Sequence, residues 1–210
     1  MEVRFPTHRQ WELTHLRGRL LQAQLQVSGM ITNPAALMDW LTPSEPPKVD
    51  TVAKTWLHTL VTRLERIQLD PGSALTARLQ GDGTDPHGFR MNLTSQIPRA
   101  ETPWGQAEQV QMDATLAPST RHRELSEIRL SLTFAQAQTD GASQDQGRVN
   151  ATLSWSATNP DALQAEWRWR NQRTRSVWGD VDQLDLSATT RRATNSGAPF
   201  LTEFRLETER

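Results

Sequence analysis

The feature that most constrains the fold is an internal repeat with a period of 74 residues, marked by two Trp-Gly pairs. After Trp104-Gly105 and Trp178-Gly179 the chain continues without a gap, so that QMDAT aligns with DLSAT. The same offset relates Leu79 to Leu153 and Leu132 to Leu206. A fixed period of this size predicts a structural unit that is copied along the chain.

Composition narrows the functional classes. Only 36% of the 210 residues are apolar, yet these residues are regularly spaced, which predicts one-sided elements and argues against disorder. The net charge of −1 gives no electrostatic case for nucleic acid as a partner. The chain has no cysteine, which excludes disulfides, thiolate metal sites and cysteine nucleophiles.

The N-terminus carries no targeting signal. The first fifteen residues lack the apolar stretch of a secretory signal peptide, and no segment approaches the length of a membrane span. If the protein works outside the cytosol, its targeting segment or membrane anchor is absent from this chain. The sequence thus leaves open whether this chain is complete or a fragment of a larger protein.

The first third of the sequence predicts a strand followed by helical segments. Residues 21–27 alternate strictly between apolar and glutamine, which is typical of a half-buried strand. Asn33 before a proline predicts the start of a short helical turn that continues to Leu41. From Asp50 the apolar spacing becomes helical, which predicts one amphipathic helix over residues 50–66 that packs as a lid on a sheet.

From residue 75 onward the sequence predicts a series of antiparallel strands separated by polar turns. Three parts follow from the period: residues 1–74 with the first strands and the capping helix, repeat unit 75–148 and repeat unit 149–210. We expect the three parts to form one continuous, mainly β domain.

The one-sided strands predict a groove. Eight strands about 4.8 Å apart make a sheet nearly 40 Å wide, and one helix about 10 Å across covers only about two of them. The remaining apolar face must be buried in a sandwich, closed into a barrel, or curled into an elongated open groove that holds an apolar ligand. A linear repeat favours the open groove. The residues expected to line it are Leu79, Met91, Leu93, Val110, Met112, Leu130, Leu132, Val149, Leu153, Trp155, Trp167, Trp169, Leu184 and Leu186.

The chain also resembles a known family. The stretch LRGRLLQAQLQVSGMITNPAALMDWL, the Trp-Gly openings and the endings QMDATL and DLSATT resemble AsmA-like proteins, which group with TamB-type and bridge-like lipid-transfer proteins. The resemblance covers residues 10–210. It implies a long β-groove, anchored by an N-terminal helix, that carries lipids between membranes or assists outer-membrane assembly. This chain departs from that pattern because it is short and lacks the anchor.

The resemblance also implies where and with what the protein works. The location would be the cell envelope or periplasm, within a membrane-anchored protein. The ligand would be a phospholipid or another apolar molecule, and the protein partners would be membrane-anchored or outer-membrane assembly proteins. Neither catalysis nor a cofactor is implied.

Few residues suggest chemistry. Asp82, Asp85 and His87 could be taken for metal ligands, but Gly and Asp are also what a hairpin turn requires, and a turn is the preferred interpretation. The aspartates at 180, 182 and 185 fit a solvated strand face. Glu166 lies on the polar side of its predicted strand, which argues against a catalytic acid.

The segment Trp167-Arg168-Trp169-Arg170 resembles the aromatic and basic interleaving of nucleic-acid binders. Strand alternation, however, places both tryptophans on one face and both arginines on the other. The segment therefore predicts a core or groove lining and no stacking platform.

Two functional hypotheses remain open at this point. The first is a non-catalytic lipid-handling or envelope-assembly β-groove segment. The alternative is a self-contained β-sandwich or barrel that binds a carbohydrate or protein ligand. An enzyme is a distant third, because no nucleophile–base pair or paired carboxylates occur at a catalytic spacing.

Overall fold

A computed structural model describes residues 2–7, 10–36, 66–119, 125–155, 163–192 and 200–209. The helix predicted over residues 50–66 lies outside the described residues except for Arg66, which is in a turn. Helical backbone runs from Pro34 to Ala36, where the description stops, so most of the predicted turn up to Leu41 also lies outside it.

The described residues form one mainly antiparallel sheet of twelve strands, which confirms the predicted fold class. Along the sheet the order is β1-β2-β3-β5-β6-β7-β8-β9-β10-β11-β12, and β4 pairs with the end of β6. The sheet is open, with β1 and β12 at its edges. Its strands are β1 (Glu2–Thr7), β2 (Gln10–Leu20), β3 (Ala23–Thr32), β4 (Gln68–Leu69), β5 (Ala74–Asp82), β6 (Asp85–Thr102), β7 (Gly105–Pro118), β8 (Ser126–Gln138), β9 (Ala142–Trp155), β10 (Gln164–Ser176), β11 (Gly179–Arg192) and β12 (Phe200–Glu209).

One pair of strands departs from the antiparallel pattern. β3 and β5 are parallel, with Val27 opposite Ala77. Parallel neighbours need a crossover connection, and the forty-odd residues between them provide the length for it. The sequence has no local signal for this arrangement, because pairing direction depends on a connection and not on the alternation within a strand.

The strand predicted from residue 21 begins two residues later. Leu21 and Gln22 have φ angles of 51° and 72° and form the two-residue turn between β2 and β3. Positive φ at both central positions matches the right-handed twist of the flanking strands. The alternation predicted for residues 23–27 is correct, but its first pair belongs to the turn.

The Trp-Gly pairs occupy equivalent hairpin turns. Trp104 is the last turn residue between β6 and β7, and Trp178 is the last turn residue between β10 and β11. Each following glycine has a positive φ, 142° at Gly105 and 132° at Gly179. In the intervening hairpin, β8 and β9 turn at 140–141, midway between the two tryptophans.

The structural unit is therefore a hairpin with a period of 37 residues, half of the period read from the tryptophans. Gln109, Gln146 and Gln183 lie 37 residues apart inside β7, β9 and β11, and all three have φ between 51° and 56°. The boundary predicted between residues 148 and 149 falls inside β9. That boundary marks a period and not the edge of a folded unit.

The positive φ of these glutamines inverts the alternation of each strand. In β7 the partly buried positions are odd-numbered up to Ala107 and even-numbered from Val110, with Glu108 and Gln109 both exposed between them. β10 changes in the same way at Gln172-Arg173. These positions lie opposite one another in neighbouring strands, and we call them the bulge line; from β6 to β11 the register between the strands is the same on both sides of it. One side of this line carries the apolar face, and the other carries short polar stems that end in the turns.

A small buried core lies at one corner of the sheet. Its members come from β3, β4, β5 and β6, where β4 pairs with the end of β6 and the Leu69 N–H donates to the Leu21 carbonyl in the β2–β3 turn. They are Ala23, Leu69, Leu75 and Ala100, with Leu21, Leu25, Ile67 and Ile97 packed against them.

Candidate ligand-binding face

The strand register brings the predicted groove residues onto one face of the sheet. Residues directly opposite each other in neighbouring strands share a face. From β5 to β12, one row of successive partners is Leu75, Ser95, Met112, Leu132, Val149, Trp169, Leu186 and Leu206. The next row is Ala77, Leu93, Ala114, Leu130, Ala151, Trp167, Ala188 and Phe204.

A third row lies further from the bulge line. It runs from Leu79 through Met91, Leu116, Ile128 and Leu153 to Ala165. The remaining predicted residues, Val110, Leu184 and Trp155, follow the same alternation on β7, β11 and β9. All fourteen residues therefore lie on this face, which we call the apolar face.

The apolar face is only half-buried. Its central side chains are partly accessible, and among the described residues fully buried apolar side chains number six, four of which belong to the corner core. At the β12 edge, Phe204 is 69% exposed while its ring meets the edge of the Trp167 indole with centroids 6.3 Å apart. The described residues contribute no second sheet that packs on this face.

Two glycines allow close contacts that a Cβ atom would prevent. At Gly147 in β9 a Cβ would lie 1.9 Å from the Phe134 ring, so the phenyl group covers the glycine backbone across the strands. At Gly105 a Cβ would lie 2.0 Å from the carbonyl oxygen of Gln138, so the β6–β7 turn can approach β8 only with glycine there.

A few polar atoms are embedded in the apolar face. Ser95 Oγ, Trp169 Nε1 and Asn171 Oδ1 are shielded from solvent and make no hydrogen bond. Each such atom costs about 1–3 kcal/mol when it stays unpaired. Asn171 donates to Thr174 Oγ1 at 2.7 Å, so only its oxygen lacks a partner. The face is thus apolar with isolated hydrogen-bonding points, and the described residues on it offer no nucleophile with a base.

The opposite face is charged and paired, as the alternation predicted for Trp167-Arg168-Trp169-Arg170. Arg168 Nε donates to the Asp185 carboxylate at 2.7 Å and Arg170 Nε donates to it at 2.9 Å. The hydrogen bonds from Arg168 and then Arg170 hold the pKa of Asp185 below its usual value, although partial burial opposes them. These arginines serve a surface ion-pair network.

The other charged residues singled out in the sequence also have structural partners. Arg173 Nε donates to Asp182 at 3.0 Å. Glu166 accepts a hydrogen bond from Gln164 at 2.8 Å on the polar face, away from the apolar face. Their positions agree with the prediction of a solvated face.

Asp82 organises a turn. Its carboxylate accepts hydrogen bonds from Asn33 Nδ2 at 3.0 Å, from the Thr84 backbone N–H at 2.8 Å and from the Thr32 hydroxyl at 2.9 Å. The bond from Asn33, followed by those from Thr84 and Thr32, holds the pKa of Asp82 far below its usual value. Among the described residues no group of three or more histidine or acidic side chains could hold a metal ion. The turn interpretation is therefore the one the geometry supports.

A polar groove along the bulge line was missed by sequence reasoning. Two open clefts of about 780 and 660 Å³ lie side by side there and share Gln146, Gln172 and Arg173. The sequence signal for it is an acid–glutamine pair that recurs every 37 residues, at 108–109, 145–146 and 182–183. In each copy an Ala-Thr pair begins five residues after the glutamine. The Trp-Gly pairs show only the 74-residue period, because the middle copy of the 37-residue unit has no tryptophan at its turn.

In the described part of the chain, no helix combines the length and the hydropathy needed to cross a bilayer. Comparisons with protein-family models, curated proteins and solved structures gave no match to this chain.

Proposed function

We propose that this chain is a non-catalytic lipid-handling segment whose apolar face holds the acyl chains of a phospholipid or another apolar ligand. The observation that supports it is the continuity of that face. Three apolar rows cross the strands from β5 onward, and no described residue with a charge interrupts them.

The size of the face supports a chain-like ligand. Eight strands at about 4.8 Å span roughly 34 Å from β5 to β12, and three rows span about 13 Å along the strands. Soluble proteins rarely leave a contiguous apolar patch of more than a few hundred Å² in water. Hydrocarbon that covers such a patch gains about 0.8 kcal/mol per buried CH₂, so several methylenes in contact give stable retention.

The biological setting is proposed from the family resemblance. A repeated, open, one-sided sheet is what AsmA-like and TamB-type proteins would share with this chain. On that basis the protein acts in the cell envelope or periplasm as part of a membrane-anchored protein. Its partners would be membrane-anchored or outer-membrane assembly proteins. The sandwich alternative needs two packed sheets, whereas the described residues form one.

The test is lipid retention by the purified protein. Mass spectrometry of an organic extract should find phospholipid or another acyl-chain lipid in stoichiometric amounts. The double variant Leu153→Asp and Trp167→Asp places two carboxylates on the apolar face, where a charge without a partner is strongly disfavoured. This variant should retain at least tenfold less lipid, since each 1.4 kcal/mol lost is a factor of ten.

The matched control adds a carboxylate on the other face of the same strand. Asn150 lies between two apolar-face positions of β9, is exposed and is opposite Arg168. Asn150→Asp should keep full lipid retention. Wild-type protein without lipid, or equal loss in Asn150→Asp and in the double variant, would refute the proposal.

A further inference from the structure

The most exposed apolar side chains of the described residues lie at a hairpin tip and not on the apolar face. Trp178 is 89% exposed and its neighbour Val177 is 79% exposed. Trp104, at the equivalent turn, is 50% exposed. Single exposed apolar side chains are common on soluble proteins. Here, however, large ones recur at two equivalent turns, which makes the turns a candidate contact surface.

Both turns are fixed by the same hydrogen bonds. The Ser176 hydroxyl donates to the carbonyl of Gly179 at 3.0 Å and accepts from the Trp178 N–H at 3.2 Å. Thr102 makes the same pair of bonds around Trp104, at 2.9 and 3.2 Å. The chain therefore presents each indole at the end of a rigid turn.

The tips extend beyond polar stems. Between the bulge line and the tip, β10 reads QRTRS and β11 reads GDVDQ, with Val181 as the single large apolar residue. Such a stem has no apolar layer into which the tip tryptophan could fold back. The indole and Val177 thus stand apart from the apolar face, at the end of a hydrophilic arm.

The two tryptophan tips lie along the same edge of the sheet. The hairpins β6–β7 and β10–β11 are separated by four strand positions, which is about 19 Å at 4.8 Å per strand. Between them lies the polar Asp140-Gly141 turn of β8–β9. This edge of the sheet, which we call the rim, therefore carries two turns with an exposed tryptophan, and a polar turn lies between them.

We propose that these two tips insert into the boundary between headgroups and hydrocarbon of a zwitterionic phospholipid bilayer. Indole prefers that boundary because its ring is apolar and its N–H is polar. A fluid surface accepts two separate points about 19 Å apart without a matching pocket for each, whereas a folded partner would need both pockets.

The charges near the tips select neutral lipid. Arg175 and Asp180 are opposite each other next to the Val177-Trp178 turn, and Arg99 pairs with Glu101 at 3.0 Å near the other turn. These pairs are neutral and Asp140 in the middle turn adds a negative charge, so the described residues of this rim form no basic patch that would attract anionic headgroups. Binding should depend little on salt.

The test is flotation with phosphatidylcholine vesicles. Wild-type protein should float with the vesicles, and Trp178→Ala should lower the partition coefficient by about tenfold, because an inserted tryptophan buries a large apolar area. Adding Val177→Ser and Trp104→Ala should abolish flotation, and Trp178→Phe should retain part of it. Far-UV circular dichroism should show that each variant keeps its sheet.

Two controls separate tip insertion from general stickiness. Asp140→Ser changes the middle tip, and Met30→Ser removes another exposed apolar side chain, which lies opposite Gln80 on the polar side of β3. Both should float as wild type does. Wild-type protein that fails to float, or tip variants that float normally, would overturn the proposal, even if the tips then proved to contact a protein.

The inference does not depend on the proposed function, and the two fail separately. Leu153→Asp with Trp167→Asp should lose retained lipid and still float. The tip variants should keep retained lipid and no longer float. Loss of both properties in either set of variants would contradict the separation of tip and face.

Discussion

Two regions of the sheet differ in how far their apolar side chains are buried. One is the corner formed by β3, β4, β5 and β6, and the other is the series of hairpins from β7 onward. At the corner, the short strand β4 pairs with the end of β6, and Leu75 and Leu69 belong to one buried cluster and are each only 7% exposed. In the hairpins, equivalent apolar rows continue without any described cover. A sheet with a continuous apolar pattern can therefore be buried as a protein core at one end and stay half-exposed at the other.

The largest expected effect tests that contrast directly. Leu75 and Leu132 belong to the same row, but only Leu75 lies in the corner core. Leu75→Ala should lower the free energy of unfolding by about 2–5 kcal/mol, and Leu132→Ala in lipid-free protein by about 1–2 kcal/mol. Urea unfolding measures both. Equal losses would mean that the hairpin region is covered as well as the corner.

Next in size is a comparison of two hairpin turns. Gly179→Ala should cost about 1–3 kcal/mol from backbone strain alone, because its φ is 132° and a Cβ would meet open space. Gly105→Ala has the same kind of strain plus a clash with the Gln138 carbonyl, and should cost about 1–3 kcal/mol more. Thermal unfolding of the two variants would separate strain from packing. If Gly179→Ala cost more stability than Gly105→Ala, the close approach of Gly105 to the Gln138 carbonyl would not hold in solution.

A smaller effect is expected along the bulge line. Gln146→Val should lower the free energy of unfolding by about 1–2 kcal/mol, because a β-branched side chain is disfavoured at positive φ. Gln136→Val is the control, since Gln136 is equally exposed on the neighbouring strand without a positive φ. The control should be neutral or slightly stabilising in chemical denaturation. Equal losses of stability in Gln136→Val and Gln146→Val would mean that the cost at Gln146 does not come from its positive φ.

The smallest effect is on the acid side of the pH profile. Hydrogen bonds lower the folded-state pKa of both Asp82 and Asp185 below the ordinary 3.8. Their contribution to stability is therefore complete above the unfolded-state pKa and is lost as pH falls through the folded-state pKa. Asp82→Asn and Asp185→Asn should each flatten the fall in unfolding midpoint below about pH 4. Carboxyl NMR titrations that gave ordinary pKa values would contradict both.

The sequence predicted the apolar face well, for a local reason. Strand alternation needs only neighbouring residues, so the sides taken by Leu153, Trp167 and Arg168 follow from the order of the letters. The single open sheet also followed, because a linear repeat adds strands at an edge.

Three features needed information that alternation does not carry. The parallel pairing of β3 with β5 depends on a long connection. The turn at Leu21-Gln22 continues the apolar–polar alternation, so its letters resemble a strand. The polar stems contain too few apolar residues for a period to be read, so alternation alone does not show that the strands continue beyond the bulge line. Only the triplicate acid–glutamine pairs could have revealed that they continue.

The bulge line also limits how such a chain can change in length. The register of β9 with β8 and β10 is continuous across Gln146, so a single residue deleted there would move the whole stem of β9 one residue out of register with both neighbours. Removing or adding a whole 37-residue hairpin leaves every side chain on its own side. Lengths are therefore quantised, with each permitted step widening the sheet by two strands, or about 9.6 Å. Evolution could in this way change the width of the sheet without redesigning any individual strand.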